Sequence, residues 1–129
     1  HLDGVIVCAM DARRQQIYNA AFRAGGGTLI RLREDRAISL SDAAADLAGL
    51  DGPVTIVGDG AALCFDALTR AGIPCRLAPV HLRLQSAMGV AMAAQRLWPD
   101  GAVSAHALAP VYLRLSQAER ERLARSQRI

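Results

Sequence analysis

The sequence has no lysine. All fifteen of its basic residues are arginine, set against twelve acidic residues, for a formal net charge of +3 at pH 7. The arginines run from Arg13 to Arg128 with aspartates and glutamates between them. Arginine forks suit phosphate, but this interleaving reads as a solvated mixed-charge surface. Aromatic residues are only 4% of the chain, so the core must be aliphatic and rich in alanine. No run of about eighteen apolar residues occurs, which excludes a membrane-spanning helix. Cysteine is sparse: Cys8, Cys64 and Cys75 form no CxxC pair. They read as buried free thiols in a reducing compartment. With no secretory signal visible, the expected location is the cytoplasm.

Several chemistries lack their residues. His81 and His106 are the two internal histidines. Neither has a cysteine, acid or second histidine at ligand spacing, so no metal site is expected. Ser39, Ser41, Ser86 and Ser104 have no histidine at a recognisable motif spacing, which removes a hydrolase triad. No catalytic residue can be assigned, and the chain reads as a non-enzyme.

What is present is a pattern of short elements in 129 residues. A domain of this size buries roughly two-thirds of its unfolded surface and needs no disulfide or metal. Val5–Met10 is a continuous apolar run, as in a central strand covered on both faces. Asp11–Gln15 is polar and fits a hairpin loop. Gln16–Arg23 reads as the return strand, with Tyr18, Ala20 and Phe22 on one face. After the break at Gly25–Gly27, residues Thr28–Arg33 alternate, placing Ile30 and Leu32 on one face and Arg31 and Arg33 on the other. A helix follows to about Ala48, capped by Ser39 or Ser41, with Asp42 in its first turn. Val54–Val57 is a β-branched run, and Gly58-Asp59-Gly60 turns it into a helix that starts at Ala61 and ends at Gly72. Cys75–Ala78 is a short strand and Leu84–Leu97 a helix, closed by Trp98–Gly101. Pro110–Arg114 reads as extended.

These elements make residues 1–115 a single α/β lobe of the ribonuclease-H-like, actin-like ATPase type. A three-stranded antiparallel meander is extended by parallel βα units, with Val54–Val57 parallel to Val5–Met10. Residues 116–129 form a charged C-terminal helix or tail. The chain opens on strand-like sequence at Gly4 without an initiator Met, and is expected to be part of something longer.

A strand, a glycine turn and a helix in that order place a candidate anion site at Gly58, Asp59 and Gly60, through backbone N–H groups at a helix N-terminus. Asp59 opposes an anion there, and no lysine follows as in a Walker loop.

Three segments together resemble a known family. Met10-Asp11-Ala12-Arg13, followed by Ile17-Tyr18, resembles the "DAR…vY" hairpin of the TsaB (YeaZ) family of the bacterial tRNA threonylcarbamoyladenosine machinery. Val57–Ala61 resembles its "GDGa" turn. Ala109–Arg114, with Pro110, Tyr112, Leu113 and Arg114, resembles its closing "P-x-YLR". The resemblance implies the second of two actin-like lobes, and a non-catalytic partner of the catalytic TsaD subunit and the ATPase TsaE. It implies no cofactor of its own beyond an ATP or ADP contact within the complex, with tRNA reached through that complex. A homodimer is a further expectation, drawn from apolar residues such as Met88 and Met92. The competing reading is the nucleotide-binding lobe of an active sugar-kinase-type ATPase, with Gly58–Ala61 touching adenosine.

Overall fold

The computed structural model describes residues 2–114 together with Arg122, Arg125 and Ser126. The expected tail, 116–129, falls almost entirely outside the described residues. Five strands form one mixed sheet: β1 (Gly4–Asp11), β2 (Gln16–Gly25), β3 (Thr28–Ser39), β4 (Val54–Val57) and β5 (Cys75–Leu77). Their order across the sheet is β3-β2-β1-β4-β5. The first three are antiparallel to one another; β4 lies parallel to β1, with Val5 opposite Val54 and Cys8 opposite Val57. Strand β5 extends the parallel part beside β4. The expected topology and the expected parallel pairing are both present.

The core forms on one face because the strand period is two. Val5, Val7 and Ala9 of β1 alternate inward, as do Ile17 and Ala21 of β2. Helices α1 (Leu40–Leu47) and α2 (Ala61–Arg70) meet them with Leu40, Leu47, Cys64 and Leu68. Each large aliphatic side chain buried here stabilises by about 1.5–3 kcal/mol. The opposite face carries Ile6, Cys8, Met10, Tyr18, Ala20 and Phe22 by the same alternation. Met10 on that face is 44% exposed, so β1 is not covered equally on both sides as its apolar run suggested.

Three details depart from the sequence pattern. First, β3 runs to Ser39 rather than stopping at Arg33, and its pairing with β2 is irregular. Ala21 pairs with Arg33 while its neighbour Phe22 pairs with Arg31. One extra β3 residue at that step sends Arg31 and Arg33 to opposite faces, which strict alternation would have kept together. Arg31 lies 4.7 Å over the Phe22 ring, whereas Arg33 turns to α1. Second, the helix expected over Leu84–Leu97 is α4 (Ala87–Leu97), capped by the Ser86 hydroxyl, and a separate single turn, α3 (Val80–Arg83), precedes it. Third, Pro110–Arg114 forms no strand.

Arg33 and Arg36 converge on Asp46 of α1. Arg33 Nε donates to Asp46 Oδ2 at 2.8 Å and Arg36 Nη2 to the same oxygen at 2.6 Å. Arg36 also donates to Oδ1 of the buried Asn19, whose amide donates to the Cys8 carbonyl. Burial raises the Asp46 carboxyl, but the bonds from Arg36 and Arg33 outweigh it and leave the group below its ordinary value. A carboxyl with a lowered folded value contributes stability above about pH 4 and loses it as pH falls through the folded value. Asp46→Ala is therefore expected to lower stability by about 1 kcal/mol at pH 7, the side chains being partly solvent-screened. The deficit should shrink toward pH 3 in urea titrations across that range.

The hairpin between β1 and β2 holds Arg13, Arg14 and Gln15 at φ of 63°, 55° and 59°. Three successive non-glycine residues in the left-handed region store strain of roughly 1 kcal/mol or more each. Arg14 is exposed, so Arg14→Gly removes strain without removing packing. We expect it to raise stability by about 0.5–1 kcal/mol in thermal or urea unfolding.

Candidate functional site

The carboxyl ends of β1 and β4 lie side by side because the strands are parallel and in register. The turn that follows β4 is therefore brought against the hairpin that follows β1. Gly58, at φ +108°, leaves no room for a side chain: a Cβ there would fall 2.0 Å from the Ala9 carbonyl oxygen. At Gly60 a Cβ would fall 2.7 Å from the Asp11 nitrogen. Such close approach of two backbones requires glycine at both places.

Hydrogen bonds fasten the contact. The Gly60 amide donates to the Ala9 carbonyl at 3.0 Å, and the Gly58 amide to the Arg83 carbonyl at 2.6 Å. The Asp11 amide donates to Asp59 Oδ1 at 3.2 Å. Asp11 in turn accepts from the Arg13 amide at 2.7 Å and from Arg13 Nη1 at 3.0 Å. Arg114, 102 positions away, reaches back and donates from Nη1 to the Ala12 carbonyl at 2.7 Å. Two strand ends, one helix start and Arg114 are thus tied at one point.

Most of the residues singled out in the sequence meet here. Gly58, Asp59, Gly60, Asp11, Ala12, Arg13 and Arg114 form the knot. Tyr18 stands opposite Met10 in the β1–β2 register, beside it. Leu113 is half-buried, and Pro110 and Tyr112 are exposed. Both glycine amides of the candidate anion turn already donate to protein carbonyls. The Asp59 carboxylate, within the turn, accepts from the Asp11 amide.

Two participants carried no sequence signal: the Ala9 and Arg83 carbonyls. Main-chain acceptors are independent of side-chain type, and only the strand–glycine-turn pattern could have hinted at Ala9. Arg83 is held in place by its own guanidinium, which donates to the Ala78 carbonyl from Nε and Nη2. A shallow groove of about 600 Å³ lies elsewhere, between Arg14–Gln16, the start of α1 and the end of α2. It does not include the turn.

Burial pushes the pKa of Cys64 up to about 11, with Cys75 adding to the shift, and burial also raises Cys8. Among the described residues, no three His, Cys, Asp or Glu side chains gather where a metal could bind. No helix among them is long and apolar enough to cross a membrane.

The fold has a solved counterpart. The crystal structure of an uncharacterized protein with similarity to peptidase YEAZ from Pseudomonas aeruginosa is similar to this chain with a TM-score of 0.64. The fold is YeaZ-like. Identity is 22% over 87% of this chain and 50% of that one, so the chain spans half the length of the protein it matches. The YeaZ-like lobe is thus a mixed five-stranded sheet of the ribonuclease-H-like, actin-like type. No protein-family model matches the chain, and no curated protein does.

Proposed function

We propose that this chain is the second lobe of a TsaB-like subunit, a non-catalytic partner in tRNA threonylcarbamoyladenosine formation. On this reading it supports a TsaD-type catalytic subunit and a TsaE-type ATPase in the cytoplasm, and meets tRNA only through their complex. One observation carries the reading. The three segments that resemble the family, far apart in sequence, contribute Asp11–Arg13, Gly58–Gly60 and Arg114 to one knot. Their polar groups bond to each other and to main chain. On this reading the knot shapes the lobe, and the chemistry belongs to the partner.

The test is a lobe exchange. A TsaB-type subunit has its second lobe replaced by this chain and is mixed with TsaD- and TsaE-type subunits, ATP, threonylcarbamoyl-adenylate and tRNA. Modified adenosine is read by nucleoside mass spectrometry. The reading expects a yield close to that of the unexchanged subunit. A folded exchange protein that yields no modified adenosine would overturn it.

A further inference from the structure

The groove of about 600 Å³ beside the β1–β2 hairpin contains two arginines that the fold does not employ. Arg14 lines it from the hairpin and Arg70 from the last turn of α2. Both are exposed, and among the described residues neither guanidinium makes a hydrogen bond or an ion pair. Arg70 does not pair even with Asp66, one helical turn before it. Arg14 is in addition strained, at φ 55°, where glycine would fit without strain. Strain kept at a residue whose side chain gives the fold no bond is a mark of function.

The geometry points to a binding site for a small phosphate monoester with an apolar body, its phosphate gripped by Arg14 and Arg70. The site lies apart from the Asp11–Asp59–Arg114 knot and does not depend on the role proposed for the chain. Its size is that of a small-molecule site, for which about 300–1,000 Å³ is usual. Its lining has the matching composition: Leu40, Ala44, Ala67 and Ala71 supply apolar surface, with a few polar groups around it.

Charge selects the ligand. No aspartate or glutamate lines the groove. Asp42 is adjacent in sequence, but its Oδ2 accepts from the Ser39 hydroxyl at 2.7 Å. Ser39 gives its single proton to that carboxylate, so the Ser41 hydroxyl, 3.0 Å away, donates to Ser39. Neither serine has a proton left for a ligand. Arg14 and Arg70 are the charged donors that remain. Two guanidinium forks match the geometry of a phosphate. They also match its charge, since a phosphate monoester carries about −1.5 to −2 at pH 7. A carboxylate would leave one arginine uncompensated.

Isothermal titration calorimetry of the whole chain with phenyl phosphate tests this. Saturable binding is expected with a Kd at or below about 1 mM. Inorganic phosphate, which lacks the apolar body, and benzoate, which lacks the second charge, should each bind at least about fivefold more weakly. Arg14→Gly and Arg70→Gln should each weaken phenyl phosphate at least about tenfold. Arg14→Gly is expected to be more stable than the wild type, so its loss of binding cannot come from unfolding. Arg76→Gln, at an exposed arginine outside the groove, should bind as the wild type does. Absence of saturable binding up to about 10 mM would overturn the inference. So would binding that survives either groove substitution, or an equal loss in Arg76→Gln. Inorganic phosphate or benzoate binding as tightly as phenyl phosphate would overturn it as well.

Discussion

Gly58→Ala is expected to leave the protein unfolded. The new methyl carbon would stand 2.0 Å from the carbonyl oxygen of Ala9 and 2.8 Å from its carbon. Both atoms belong to the backbone of the central strand, so no flexible side chain can swing aside. Gly58 also has φ +108°, where a residue with a Cβ is strained even in open space. The loss should be at least about 4 kcal/mol, at the diagnostic end of single substitutions. That approaches the whole stability of a small domain, about 5–15 kcal/mol. Gly60→Ala meets main chain at 2.7 Å but has an ordinary φ of −88°. Its cost should be smaller, about 2–3 kcal/mol. Gly26→Ala is the control. Its φ is +56° with nothing within 4 Å, so only the left-handed penalty of about 1 kcal/mol applies. Soluble yield and urea unfolding by circular dichroism report all three. A Gly58→Ala protein within 1 kcal/mol of wild type would mean that the turn does not lie against β1.

That glycine pair also shows what could be read from residue types. The parallel placement of Val54–Val57 beside Val5–Met10 was legible because both are apolar runs bounded by turn residues, and the glycine turn marked the site between them. The cap at Ser39 was legible in the same way: its hydroxyl accepts from the Asp42 amide. The split of Arg31 and Arg33 was not. It depends on one unpaired β3 residue, which no alternation pattern records. Nor was the left-handed hairpin at Arg13–Gln15 visible, since glycine, asparagine and aspartate are absent from all three places. The separation of α3 from α4 was hidden because Leu84 continues the apolar spacing of α4 although Ser86 caps it. The convergence of Arg114 on Ala12 is a long-range contact, and only the family resemblance linked those two segments beforehand.

The second large effect concerns the chain on its own. We expect the 129-residue chain to give no detectable threonylcarbamoyladenosine when it replaces a whole TsaB-type subunit. It spans half the length of the solved protein it matches. A specific interface commonly needs about 1,200–2,000 Å² of buried surface in total. If the contact with a TsaD-type subunit rests largely on helices of the other lobe, that area is lost and binding falls below detection. The loss should exceed about a hundredfold in yield, since every 1.4 kcal/mol of interface energy is tenfold in affinity. Lobe exchange should restore it. Full activity from the chain alone would show that this lobe carries the partner contact itself.

The central claim is that the Asp11–Asp59–Arg114 knot organises the lobe and performs no chemistry. Asp59→Ala in the lobe-exchange protein tests it most directly, with modified adenosine measured by nucleoside mass spectrometry and folding verified by circular dichroism. Removing the carboxylate deletes one exposed hydrogen bond to the Asp11 amide, a loss of about 1 kcal/mol in stability. The account predicts a modification rate within about threefold of the unsubstituted protein. A loss of roughly a thousandfold with the fold intact corresponds to about 4 kcal/mol of transition-state stabilisation; it would contradict the account and assign the turn to an active nucleotide site.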